Sequence, residues 1–421
     1  MYRILMIAPT PFFADRGCHV RILGEVRALQ AAGHRVTVCT YHHGRDVEGV
    51  HTVRIAPIPG YRKLSAGPSN AKYVADPLLL ARSLREARRD RPDVVHGHLH
   101  EGALIGRFVS AATGAPLVFD YQGSLTEELA AHGYLRRNSR AGRAFARLER
   151  WIDSGAAGIV ASSDRAADAL RSSVAPERVH TVLDGVDTQE FRPLPRPERA
   201  AIRARFDVPE DAVLALYVGV LADYQGIDLL LTQLGPVLAE RPALHVLLAG
   251  YPEEGYRRRV TELGLQAQVL LPGRVPYEET RALTGAADIG LTPKLSVTEG
   301  NLKVYNYLAC GLPVVAFDNP VNREILGDLG VYADCSARTP PRCSAKIRWY
   351  PSSSRARSIR KARTCRNQST RRRKSGGEIR NGAQTDSHAT AASHSGRKGR
   401  CTILTSIPIE RPTAETRSFS V

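Results

Sequence analysis

Short apolar runs alternate with amphipathic stretches through the first 334 residues, and the two periods take turns in a regular order. Residues 3–8, apolar from Ile4 onward, read as a buried strand, residues 18–32 carry helical spacing that stops at Gly33, and residues 35–41 read as the next strand. The same unit recurs as strands at 94–96, 117–119 and 158–161, with helices around 104–112 and from Asp164 onward. Pro193, Pro195 and Pro197 interrupt the series, which restarts with a strand at 213–218. The helix predicted next, 227–241, places Ile227, Leu230, Leu231, Leu234 and Leu238 on one face. Strands at 244–250, 269–271, 289–292 and 313–317 then enclose helices at 253–263, 277–287 and 301–310. Strands that alternate with helices build parallel sheets, and such sheets bind ligands outside the carboxyl ends of their strands. The expected fold class is α/β, with one Rossmann-like domain over 1–192, a linker over 193–212 and a second domain over 213–334.

Beyond residue 334 the alternation stops, and Ser, Arg and Thr dominate. Residues 335–421 carry 20 Lys and Arg against 4 Asp and Glu, so the formal charge of +17 lies almost wholly there. The expectation is a disordered basic tail that sticks to polyanions without specificity, so no specific nucleic-acid partner is assigned. A shifted reading frame near Cys335 would account for so abrupt a change. The seven cysteines form no close pair of the zinc-site type and no dense framework, and no apolar run reaches about 18 residues. The corresponding expectation is a cytoplasmic protein, with one qualification: six arginines between 135 and 151 suit a peripheral contact with an acidic membrane or a lipid-linked acceptor as well as they suit a solvated helix.

Candidate chemistry gathers at the predicted strand ends. Gly17, with Arg16 before it, lets the backbone enter a helix near a phosphate or sugar, but the loop lacks the dinucleotide fingerprint Gly-x-Gly-x-x-Gly. His96, His98, His100 and Glu101 offer metal-ligand types in one run; the expectation is no metal, with His98 lining the cleft on the acceptor side. Asp120 and Gln122 follow a strand and can each satisfy sugar hydroxyls. Glu299 and Gly300 precede a helix whose free amides and positive dipole end favour an anion, and Lys303 and Asn306 lie near its start. By themselves these residues suit equally a helix-dipole partner and an ordinary solvated face.

The stretch from Glu299 and Gly300 to Ala309-Cys-Gly-Leu-Pro-Val-Val resembles the donor-site segment of the family 4 retaining glycosyltransferases. The resemblance covers about residues 3–334 and implies the GT-B fold, two Rossmann-like domains facing a central cleft. It implies transfer of a sugar from a nucleotide-diphosphate sugar to an acceptor hydroxyl of a saccharide or a lipid-linked molecule. Configuration would be retained with neither metal nor cofactor, and the leaving phosphate would help to deprotonate the acceptor. Glu299 would hold the donor sugar or ribose, Gly300, Asn301 and the helix amides the phosphates, and Lys303 their charge. Gly17, Asp120 and Gln122 would face them from the first domain.

Four positions at the candidate site depart from the family pattern. Gln122 stands where many members carry a His, and Asn306 where many carry a Glu. In the loop from Gly219 to Gly226, Val220 and Gln225 replace an Arg and a Lys that clamp the donor diphosphate. Lys294, Lys303 and the amides at Gly300 are the candidates to replace that charge. If none does, the chain is a non-catalytic sugar-nucleotide binder or an inactive relative.

Overall fold

In the computed structural model, residues 1–64, 69–131, 134–136, 138–297 and 300–334 are described. Glu299 and the basic tail fall outside them.

The first half is a seven-stranded parallel sheet with helices on both faces. In chain order it comprises β1 (Arg3–Ala8), α1 (Gly17–Ala31), β2 (Arg35–Thr40), β3 (His51–Arg54), α2 (Lys72–Asp90), β4 (Val94–His98), α3 (Leu99–Thr113) and β5 (Leu117–Tyr121). It continues through α4 (Leu125–Ala131), α5 (Arg140–Ser154), β6 (Gly158–Ala161), α6 (Asp164–Leu170) and β7 (Val179–Thr181). The strand order is β3-β2-β1-β4-β5-β6-β7, so the direction of winding reverses between β1 and β4. In an open sheet the reversal leaves a crevice at the strand ends.

The second half repeats the plan with α7 (Arg196–Ala204), β8 (Val213–Val218), α8 (Ile227–Glu240), β9 (Leu244–Ala249), α9 (Glu254–Glu262), β10 (Val269–Gly273) and α10 (Tyr277–Ala286). It closes with β11 (Ile289–Thr292), α11 (Leu302–Ala309), β12 (Val314–Phe317), α12 (Pro320–Leu326) and β13 (Val331–Ala333). All neighbouring strands are parallel, in the order β10-β9-β8-β11-β12-β13. The strands are apolar because both faces are covered: Leu214 and Leu216 face one buried cluster, and Ala215 and Tyr217 face the other.

Part of the expected linker is built into the second domain. α7 lies inside 193–212, and its Arg203, only 3% exposed, donates to the carbonyls of Ala286, Glu210 and Ala212 and to Asp288. Those carbonyls lie at the ends of neighbouring elements, where intrasegment partners run out, and a guanidinium can serve several of them at once. The contacts to Ala286 and Asp288 lie 83 and 85 residues away along the chain, and the composition of 193–212 does not announce them.

His100, predicted in the same run as His96 and His98, turns the other way. It lies within 3.3 Å of Glu149 and 3.6 Å of Asp153, both on α5, and so joins α3 to α5. Burial alone lowers its proton affinity, but the two carboxylates outweigh that and raise the pKa to about 9, while Glu149 is held at about 2. A group whose pKa rises on folding gives stability that is complete below its unfolded value near 6.5 and is lost through 9. Unfolding free energy should therefore fall by about 3 kcal/mol between pH 6.5 and 9, and His100→Gln should flatten that slope in denaturant titrations.

Candidate functional site

The carboxyl ends of the two sheets meet through the loop after β1 and the loops of the second domain. Asp15 accepts from Arg45 at 2.8 Å, from Arg274 at 2.8 Å and from the backbone N–H of Tyr277 at 3.1 Å. Arg45 reaches on to Glu278 at 2.8 Å, and the Tyr251 hydroxyl donates to the Ala14 carbonyl at 3.2 Å. Burial raises the proton affinity of Asp15, but these donors outweigh it and hold the group below its ordinary value, so it is an anion there at neutral pH. None of Asp15, Arg45, Arg274 and Glu278 carries a motif, and the pairs that join the two domains, Asp15 with Arg274 and Arg45 with Glu278, lie 259 and 233 residues apart, which hides them from the sequence.

On the second-domain side, the loop after β8 and the first turn of α11 come together. Gly219 has φ +148° and would place a Cβ 3.2 Å from the Lys303 side chain, so the backbone and the lysine pack closely only because the residue is glycine. The Lys303 amine donates to Gln225 Oε1 at 3.1 Å and to Asn301 Oδ1 at 3.3 Å, and lies 5.0 Å from the centre of the Tyr217 ring. The cation missing from the loop sequence is thus brought to that loop by α11. Gln225 holds it there, since an amide oxygen accepts from an ammonium that a second lysine would repel.

Other predicted donor residues are differently placed from expectation. Asn301, 2% exposed, donates to Thr292 Oγ1 at 2.6 Å and to Asn322 Oδ1 at 2.8 Å, so its side chain secures the loop and only its backbone remains for a ligand. Lys294 is 1% exposed, and its carbonyl accepts from Asn319. Asn306 is buried, and its Oδ1 has no hydrogen-bond partner among the described residues. An orphaned buried acceptor costs about 1–3 kcal/mol, which a hydroxyl or amine from a ligand or a water would relieve. Gly300 faces the first domain, where a Cβ would lie 3.1 Å from Asp184 Oδ2, and lines a small cavity with Ser162, Asp184, Tyr305 and Glu324.

The first-domain predictions need two corrections. His98 is fully buried and does not line an open cleft. Asp120 is also fully buried, and its carboxylate accepts from Arg21 Nε at 2.8 Å, from His98 Nδ1 at 3.0 Å and from Gln122 Nε2 at 2.7 Å. With three donors already satisfied it is a support for Gln122 rather than a sugar ligand. Gln122 is half-buried beyond it, at the strand end. Gly17 is exposed at the first turn of α1 with open space where a Cβ would stand, and Arg16 donates to the Leu64 carbonyl at 2.9 Å.

Arg21, which no motif marked, is the centre of that buried group. It also meets Asp184 at 2.9 Å and Glu25 at 3.2 Å. Burial disfavours its charge, but three carboxyl groups more than restore it. Burial pushes Asp120 up as well, yet Arg21 and His98 bring it well below the carboxylate range, whereas burial beside Asp120 leaves Glu25 well above it. Ligand atoms of Glu25, His96 and His98 lie within 4.8 Å of one another, the sole candidate metal set among the described residues. His98 keeps Nε2 open while Nδ1 bonds Asp120, but the Arg21 guanidinium, 3.2 Å from Glu25, already supplies positive charge to the set and disfavours a second cation there.

Comparisons with known proteins bear on the family and the fold. Residues 16–185 match the family model "Glycosyl transferase 4-like domain", and residues 198–362 match "Glycosyl transferases group 1". The chain is 31% identical over 240 residues to D-inositol 3-phosphate glycosyltransferase 1 of Catenulispora acidiphila, covering 53% of this chain and 55% of that protein. It is 29% identical over 322 residues to the D-inositol 3-phosphate glycosyltransferase of Thermobispora bispora, covering 71% and 73%. The chain therefore spans little more than half of the first relative. Among solved structures, HepE of Anabaena in complex with UDP aligns with TM-score 0.60 at 16% identity, over 79% of this chain and 86% of that one. Sucrose-phosphate synthase of Thermosynechococcus elongatus aligns with TM-score 0.64 at 19% identity, over 80% and 87%. At these identities the likeness establishes the two-domain fold.

Proposed function

Because this chain belongs to the family 4-type glycosyltransferases, built on the GT-B fold, we propose that it moves a sugar from a nucleotide-diphosphate sugar to an acceptor hydroxyl. In this reading the configuration is retained and no metal is required. The observation that carries it is the Lys303 ammonium held at the Gly219 loop by Gln225 and Asn301. A departing diphosphate gathers negative charge, and a fixed cation at the first turn of α11 stabilises that charge more in the transition state than in the ground state. Glu299 would position the donor sugar or ribose, and Gln122, fixed by Asp120, would face the sugar from the first domain. The acceptor is a saccharide or a lipid-linked molecule, met by a cytoplasmic protein in peripheral contact with a membrane.

Thermal unfolding with and without UDP, GDP and ADP tests the donor pocket, since a ligand that binds only the folded state raises the melting temperature. One nucleotide is expected to shift the melt and so identify the base. A melt that none of the three moves would refute the reading. Turnover with the matching sugar donors should persist unchanged in EDTA, and Glu299→Ala should abolish it while leaving the melt in place.

A further inference from the structure

We propose that the outer face of α3 and α5 docks on an anionic bilayer. α5 buries Gly142, Glu149, Ile152 and Asp153 against the domain, yet it also exposes Phe145, Leu148 and Trp151, which lie three apart along one side. Phe108 of α3, next in sequence to Arg107, is exposed as well; the four are 37–49% exposed. The Arg107 guanidinium stacks over the Trp151 ring at 3.9 Å and donates to the Trp151 carbonyl, so the two helices present one continuous surface.

The charge on this face selects the occupant. Arg140, Arg143, Arg147 and Arg150 are all exposed on α5, whereas its two acidic residues, Glu149 and Asp153, are buried against His100. The helix thus presents to solvent an apolar band and a cationic rim with no exposed carboxylate. An acidic protein or a nucleic acid would pair with the rim and gain nothing from the band. A bilayer takes both, with aromatic rings at the headgroup level and guanidinium groups on lipid phosphates. This rests on the proposed function only in placing the acceptor at a membrane; the donor chemistry lies elsewhere, and Lys303→Met should leave vesicle binding intact.

The full chain contains two tryptophans, Trp151 and Trp349, so Trp349→Phe leaves a reporter on this face alone. With phosphatidylglycerol and phosphatidylcholine vesicles, Trp151 emission should shift to the blue and be quenched by brominated acyl chains; with phosphatidylcholine alone it should not. Adding Arg143→Glu and Arg147→Glu should weaken vesicle affinity by about 100-fold and remove the quenching. Sedimentation with vesicles while Trp151 stays unchanged would overturn the proposal and assign the binding to the basic tail. A response of Trp151 to RNA but not to vesicles would overturn it in favour of a nucleic-acid surface.

Discussion

Lys303→Met is expected to lower kcat by about 10²- to 10³-fold, equivalent to roughly 3–4 kcal/mol of transition-state stabilisation, with little change in the melting temperature. Methionine keeps the length of the side chain and its packing against Gly219, but removes the charge that Gln225 and Asn301 hold in place. The loss should fall on kcat rather than on KM, because the diphosphate's charge is greatest as the sugar leaves. Gln225→Ala should retain the cation and misplace it, at a cost of roughly 10-fold. Gln225→Lys should be no better than wild type, since two ammonium groups would then compete for the space beside Tyr217. Steady-state turnover with the donor identified by thermal shift measures all three, and a Lys303→Met enzyme with full activity would assign the diphosphate to another cation.

Arg21→Met should be the most damaging substitution for stability. It strips the cation from Asp120, Asp184 and Glu25 at one stroke and leaves buried carboxyl groups unpaired. Breaking a buried network from one side costs about 3–5 kcal/mol, a fall in melting temperature on the order of 10 °C. Because Asp184 also faces Gly300, the nucleotide-induced shift should shrink as well. Pairing Arg21→Met with Asp184→Asn should recover part of the loss, since one of the stranded charges is then gone. Calorimetry on the two variants decides it: a melt unchanged in the single variant would mean that water, not Arg21, satisfies these acids.

The missing loop cations and the altered His position read from the sequence as signs of a weakened enzyme. The structure changes the weight of the first sign, because α11 brings Lys303 to the loop from 78 positions away. For the second it offers a partial substitute, a Gln122 amide oriented by Asp120. The Asn at 306 has no such repair among the described residues, where its buried acceptor lacks a partner.

The sequence by itself determined the two alternating series, their division near 193–212, the strand ends that carry chemistry and the helix behind Gly300. Those features are local: a strand or an amphipathic helix is written in residues two to four apart, and a helix start in the few residues before it. Only the tertiary structure decided that His98 and Asp120 are buried supports, that His100 pairs with acids of α5, that Arg21 ties three acids together and that Lys303 sits at the Gly219 loop. Each of these is a polar group whose role depends on which partner satisfies it. The partner lies 49 to 163 residues away for Glu149, Lys303's Gln225, Asp120 and Asp184, and no periodicity along the chain records it.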